Sequence, residues 1–167
     1  MNVKELNGGV LISDSDIDLY KTFDCGQCFR FEALGDGVFK GVAFGRVLDI
    51  KATEAGSFFI ADMSIAEFES RFALFFDLER DYEGIRKDLL SLGVIPKAIE
   101  NGGGIHILRQ EFWETLCSFI ISQNNNIPRI KKIIASLCRL LGDEIAEGVY
   151  TFPSAEKVAQ AGVEGLA

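Results

Sequence analysis

The chain has 167 residues, 48% of them hydrophobic, with 14 phenylalanines and a net charge of -8. That apolar content is enough for a substantial core and excludes intrinsic disorder. The acidic balance excludes nucleic-acid binding by the surface as a whole but leaves room for a local basic face, because screening limits such an interaction to about 10 Å at moderate salt. No run of 18 apolar residues occurs, and residues 1–6 lack the apolar stretch of a signal peptide, so a cytosolic protein with no membrane segment is expected.

From Gly8 to Ala61 the pattern is that of strands. Residues 9–12 and 17–23 show short alternating runs, and 28–34, 38–44, 47–51 and 58–61 read as a meander. Turns fall at Gly35-Asp36-Gly37, Gly45-Arg46 and Glu54-Ala55-Gly56, which predicts an antiparallel sheet with one covered face. The cover comes next. Ser64 and Glu67 form a capping box, and Ile65, Phe68, Phe72 and Phe75 make an aromatic stripe at helical spacing. Tyr82, Ile85, Leu89 and Leu92 repeat the period in a second helix, and both helices are expected to pack on the sheet.

Asn101-Gly102-Gly103-Gly104 is the strongest boundary signal, dividing an α+β unit at 1–102 from a helical unit at 103–167. Helical patterns then cover 108–122 and 128–142, and a third begins at Pro153-Ser154. Two and a half helices cannot enclose an all-α core of ordinary size, so the second unit is expected to be truncated or completed by a partner.

Four cysteines, Cys25, Cys28, Cys117 and Cys138, must be read in a reducing compartment, where structural disulfides are rare. Cys25-Gly-Gln-Cys28 has the spacing of a zinc or thiol-redox motif. A structural zinc needs four ligands, however, and Cys117 and Cys138 sit apart within apolar helical stripes, while His106 is the one histidine. No βαβ context for a redox pair is present. The four are read as buried thiols or loop residues, and no metal or cofactor is expected.

The most unusual stretch is Ser122-Gln-Asn-Asn-Asn-Ile-Pro-Arg129, a polar tip between two apolar helical patterns: Phe112, Leu116, Phe119 and Ile120 before it, then Ile127, Ile130, Ile134, Leu137 and Leu141. An αα-hairpin turn is predicted, with Asn126 as N-cap and Pro128 in the first turn. From Asn124 to Leu141 the chain carries Arg129, Lys131, Lys132 and Arg139 and no acid. Lys132 and Arg139 lie opposite the isoleucine stripe, so the charges are expected to face outward, toward phosphates. His106 has no partner that the sequence names.

Phe119 to Arg129 resembles the asparagine-triplet segment of the 8-oxoguanine DNA glycosylases, and Phe23-Asp-Cys-Gly-Gln-Cys-Phe-Arg-Phe31 resembles a second segment of that family in the same order. The resemblance implies an N-terminal antiparallel, twisted, TBP-like sheet covered by helices, followed by the first helices of an all-α helix-hairpin-helix domain. It further implies that the Gly26 carbonyl reads the flipped base, with Gln27, Phe29 and Arg30 shaping the loop. Asn124 would enter the gap left by the flipped nucleotide, Asn125 and Asn126 would hold the tip, Arg129 would meet the orphan cytosine, and Lys131 and Lys132 would face DNA.

The partner implied is double-stranded DNA containing 8-oxoguanine, bound by a monomer in a prokaryotic cytosol or nucleoid. The family's catalytic lysine and aspartate lie on or near a glycine-rich hairpin beyond the triplet. Of the 41 residues after Asn126, Lys157 is the single lysine beyond the α-helical basic stretch, and it has neither that hairpin nor a following aspartate. The chain alone is therefore expected to be inactive, and a non-catalytic module for damaged DNA is the alternative.

Overall fold

A computed structural model describes residues 1–6, 8–54, 56–93 and 96–166. Ala55, in the third expected turn, lies outside the described residues. The fold is α+β. Six antiparallel strands, β1 (Asn2–Leu6), β2 (Gly9–Ser13), β3 (Phe31–Gly35), β4 (Val38–Ala43), β5 (Arg46–Ala52) and β6 (Phe58–Ala61), form one sheet in the order β1-β2-β6-β5-β4-β3. Alternation places Val10, Ile12, Phe39, Leu48, Ile50, Phe58 and Ile60 on the covered face. Strand β1 has no such alternation. It is an edge strand whose pairing with β2 is carried by the backbone, which is why its polar sequence concealed it.

The cover is α2 (Ile65–Glu67), which runs through a π turn (Phe68–Phe72) into α3 (Ala73–Phe75). Ser64 caps it, accepting from the Glu67 N–H at 3.2 Å. Phe68, Phe72, Phe75 and Phe76 are all buried. The wider π turn lets this run of aromatics share the sheet face.

Residues 17–23 are a correction. The expected strand is the helix α1 (Leu19–Asp24), because the Asp18 carboxylate caps it by accepting from the Lys21 N–H at 3.0 Å, and Leu19, Thr22 and Phe23 then fall on one buried face. The strand expected from Cys28 begins only at Phe31.

Helix α4 (Tyr82–Ser91) forms as expected but does not lie on the sheet: it has no buried residue, and Leu92 just beyond it is 78% exposed. It is held by polar bonds instead. Tyr82 stacks on His106 with ring centroids 4.1 Å apart, and its hydroxyl donates to Asp77 at 2.9 Å. Burial would raise the Asp77 carboxyl, but hydrogen bonds from Arg109, Arg80 and Tyr82 hold it below the usual carboxylate range.

Helix α5 (Pro96–Gly102) leads into the glycine run, which is pinned rather than loose. The Gly104 carbonyl accepts from the Asp18 N–H at 2.8 Å, and a Cβ on Gly104, at φ +85°, would stand 2.6 Å from the Asp18 Cβ. Glycine is needed there for both reasons. Residues 105–109 then run extended against the sheet unit, and Leu108 joins the main core.

Helices α6 (Phe112–Ser122) and α7 (Ile127–Leu141) follow. Between α7 and α8 (Ala155–Ala161) stands a hairpin of β7 (Glu144–Ala146) and β8 (Val149–Tyr150), where only helices had been expected. Its three- and two-residue strands are too short for a visible period of two. A second, smaller core joins Ile130, Ile134 and Cys138 to Phe29, Ile121, Tyr150 and Phe152.

Candidate nucleic-acid interface

Helix α1 ends at Asp24, and the chain turns through Gly26, which is exposed at φ +83°. A Cβ there would meet nothing closer than Ile127 Cδ1 at 3.9 Å, so the glycine is required by the backbone angle and the space in front of it is open. The residues after it are all spent inward. Gln27 Nε2 donates to the Thr22 carbonyl at 2.9 Å and the His106 carbonyl at 2.8 Å, while its Oε1 accepts from the Leu108 N–H at 2.9 Å. Its backbone carbonyl accepts from Gln110 Nε2 at 2.6 Å. Phe29 packs into the smaller core. The Arg30 guanidinium lies 3.5 Å from Glu114 and donates to the Tyr150 carbonyl.

Cys25 is exposed on this loop, whereas Cys28 is buried. Burial, with a further contribution from Cys25, pushes the Cys28 thiol up to about 12, so it stays protonated.

At the tip, α6 ends in Gln123, and Asn124 adopts φ +56°. Asn126 caps α7, accepting from the Arg129 N–H at 3.0 Å, and Pro128 takes the first turn, as the sequence predicts. Asn125 Nδ2 donates to the Ile121 carbonyl at 2.7 Å. Of the three amides, only that of Asn124 has no hydrogen-bond partner among the described residues. Arg129 is exposed beside it.

Ile127 joins the two parts. The loop around Gly26 and the triplet, roughly a hundred positions apart in sequence, meet at the start of α7. Lys132 and Arg139 are exposed on that helix, as expected. Lys131 is not: its ammonium donates to the Phe31 carbonyl at 3.0 Å, tying α7 to β3. The expectation that it faces outward fails because it stands one residue past buried Ile130, close to the sheet edge.

The apolar residues of α6 lie the other way from a core. Phe112, Phe119 and Ile120 are 81%, 66% and 62% exposed, and the inward face carries Glu114, Cys117, Ser118 and Ile121. Lys132 stands at the rim of an apolar cleft of about 540 Å³ lined by Ile121, Ile133, Leu137 and Leu140. Glu114 is the residue that sequence reasoning missed. Its signal was the spacing of the one acid within α6 with Cys117, Ser118 and Ile121, of which the small Cys117 and Ser118 let an inward face come close to its neighbours.

His106, 1% exposed, also has partners. Nδ1 lies 2.9 Å from the Phe76 carbonyl and Nε2 lies 2.8 Å from the Asp16 carboxylate. Burial would raise Asp16, but hydrogen bonds from His106 and Arg86 hold its carboxyl low. Because Asp16 titrates lower in the folded chain, its contribution to stability is present above the ordinary carboxylate range and is lost as pH falls through its folded value. Asp16→Asn should therefore flatten the acid limb of a pH-stability curve, measured by urea melts; an unchanged acid limb would refute that.

Residues 9–116 match the N-terminal domain of 8-oxoguanine DNA glycosylase. The chain belongs to that family. Across 167 aligned residues it is 25% identical to N-glycosylase/DNA lyase OGG1 of Arabidopsis thaliana, an alignment covering 92% of this chain and 44% of that protein. The structure of MBOgg1 in complex with a low-affinity DNA ligand superposes with a TM-score of 0.91 at 41% identity, covering 99% of this chain and 58% of that one. The Clostridium acetobutylicum 8-oxoguanine glycosylase/lyase, in complex with double-stranded DNA containing cytosine opposite 8-oxoG, gives a TM-score of 0.91 at 34% identity with the same coverage. This glycosylase-family chain thus spans less than half of the Arabidopsis protein and somewhat more than half of the two solved structures.

Proposed function

We propose that this chain carries the damage-reading half of an 8-oxoguanine DNA glycosylase/lyase, which binds double-stranded DNA, flips 8-oxoguanine from opposite cytosine and excises it in base-excision repair. One observation carries the reading: an outward-facing glycine and an asparagine whose amide has no hydrogen-bond partner among the described residues, from distant parts of the sequence, share a boundary at Ile127. In guanine N7 is an acceptor, whereas the oxidised base carries a hydrogen there, so the Gly26 carbonyl attracts the lesion and repels the normal base. The open space in front of Gly26 lets the main chain approach a purine edge.

Flipping leaves the cytosine unpaired. Asn124, whose amide offers both a donor and an acceptor, fills the gap, and the fork of Arg129 suits the acceptor edge of the orphan base. Asn125 and Asn126 are consumed in holding the tip. Lys132 and Arg139 attract phosphate within a protein of net charge -8, so affinity is salt-sensitive.

Cleavage by the glycosylase/lyase route, through a Schiff base, needs an amine nucleophile. Lys157 is held in an exposed pair with Asp143 at 2.5 Å, on the surface beyond the hairpin. We propose that the 167-residue chain does not cleave by itself. Incubation with an 8-oxoguanine:cytosine duplex and borohydride should trap no covalent adduct; a trapped adduct would overturn this.

The wedge role is tested by Asn124→Ala in the protein expressed at the full length of its reading frame. Loss of the amide's hydrogen bonds to the orphan base should weaken lesion-duplex binding about tenfold, measured by fluorescence anisotropy. Unchanged affinity would refute the role.

A further inference from the structure

Reading a base and opening a duplex must occur at one fixed separation, and a single guanidinium spans the elements that carry them. We propose that Arg30 and Glu114 are a positioning pair that holds the Gly26 carbonyl at a set distance and direction from the Asn124 tip, so that reading and opening work as one rigid unit. The inference rests on the function proposed above.

Arg30 follows the Gly26 loop directly. Glu114 lies in the first turn of α6, whose far end leads into Asn124, and Tyr150 belongs to β8. The Arg30 guanidinium reaches both, with the Glu114 carboxylate 3.5 Å from Nη1 and the Tyr150 carbonyl accepting from Nη2. The side chains of Arg30 and Glu114 are 10% and 15% exposed.

A buried ion pair contributes little net stability, because desolvation offsets the attraction, and apolar residues of the same size would hold the units together as well. What it adds is direction. The neighbouring contact, Phe29 against Ile130, Ile134 and Cys138, is apolar and sets no orientation. The bonds of Gln27 run to Thr22 and to residues 106, 108 and 110, which precede α6, and Lys131 bridges α7 to β3 beyond the loop with one nitrogen. A lysine at position 30 would keep the charge but lacks the fixed planar fork that holds two elements in one geometry.

The pair also gives a readout that a structural role would not move. Glu114 is surrounded by Arg30, by Glu111 at the N-cap of α6 and Cys117 on that helix, by Cys28 of the loop and by Cys138 of α7. Burial pushes its carboxyl up to about 6, with Arg30 opposing and Glu111 adding. The folded chain therefore holds this proton more tightly than the unfolded chain does. Acidification through that range favours the folded state through this group while removing the charge that grips Arg30.

The test compares wild type, Glu114→Gln and Arg30→Lys, each at the full length of the reading frame. Affinities are measured for 8-oxoguanine:cytosine, guanine:cytosine and abasic-site:cytosine duplexes at about pH 7.5 and about pH 5.5, with melting temperatures alongside. In wild type the preference for 8-oxoguanine over guanine should fall about threefold to fourfold on acidification, because roughly a quarter of the Glu114 carboxyls remain ionised at about pH 5.5. In Glu114→Gln it should already be reduced at the higher pH and show no pH dependence. Abasic-site binding, which needs the tip but not the reader, should keep its wild-type value in both variants to within about twofold.

The inference is overturned if both variants keep the wild-type preference, or if all three affinities fall together with the melting temperature. A wild type without any preference for 8-oxoguanine would refute the proposed function itself.

Discussion

Gly26→Ala is expected to abolish most of the discrimination between 8-oxoguanine and guanine. The backbone at this residue sits at φ +83°, where a Cβ costs about 1 to 2 kcal/mol. Nothing packs against the site to enforce that angle, since the nearest atom to an added Cβ is Ile127 Cδ1 at 3.9 Å. The loop would therefore relax to a negative φ, which turns the carbonyl away from the base. Discrimination depends on one hydrogen bond to the lesion and one lone-pair repulsion with guanine, together on the order of 2 to 4 kcal/mol, so a ratio of about 30 to 1,000 should collapse toward unity. Competition binding with lesion and undamaged duplexes measures this. Retained preference would show that the base is read elsewhere.

Ile134→Ala should have the largest effect on stability. Ile134 is 1% exposed at the centre of the smaller core, which has few members and cannot collapse around a void. A loss of about 2 to 5 kcal/mol is expected, most of a small unit's stability. Because Phe29 belongs to the same cluster, the reader loop should lose its docking as α7 loosens. Urea melts and hydrogen exchange across residues 25–30 and 127–141 check both consequences. Phe119→Ser is the control: this residue is 66% exposed and its replacement should leave the melt nearly unchanged. An equal loss in both variants would contradict the assignment of the inner face of α6.

Most of the strand meander, the aromatic cover and the capped αα-hairpin were legible in the sequence, because each is a short-range pattern. Alternation marks a half-buried strand, Ser64 and Asn126 mark helix starts, and the glycine turns separate them. The two motifs could also be found as motifs. Their meeting could not, because no local signal records that Gly26 and Ile127 are neighbours.

The errors have physical causes. Residues 17–23 alternate like a strand, yet the Asp18 cap and the dock of Gly104 onto it select a helix. Leu92 and Phe119 satisfy a helical apolar period and remain exposed, since periodicity tells which residues share a face and not what that face meets.

The sequence by itself determined the order and type of most elements, the chemistry available at positions 26 and 124, and the membership signalled by two separated motifs, because those depend on residue identity and spacing along one chain. Tertiary structure decided which amides and cations are free. Asn125, Asn126, Gln27 and Lys131 are consumed by backbone partners, while Asn124 and the face of Gly26 are left open. It also brought Arg30 to Glu114 across more than eighty residues, since the energy of a buried pair depends on distance and desolvation, neither of which can be read along a chain.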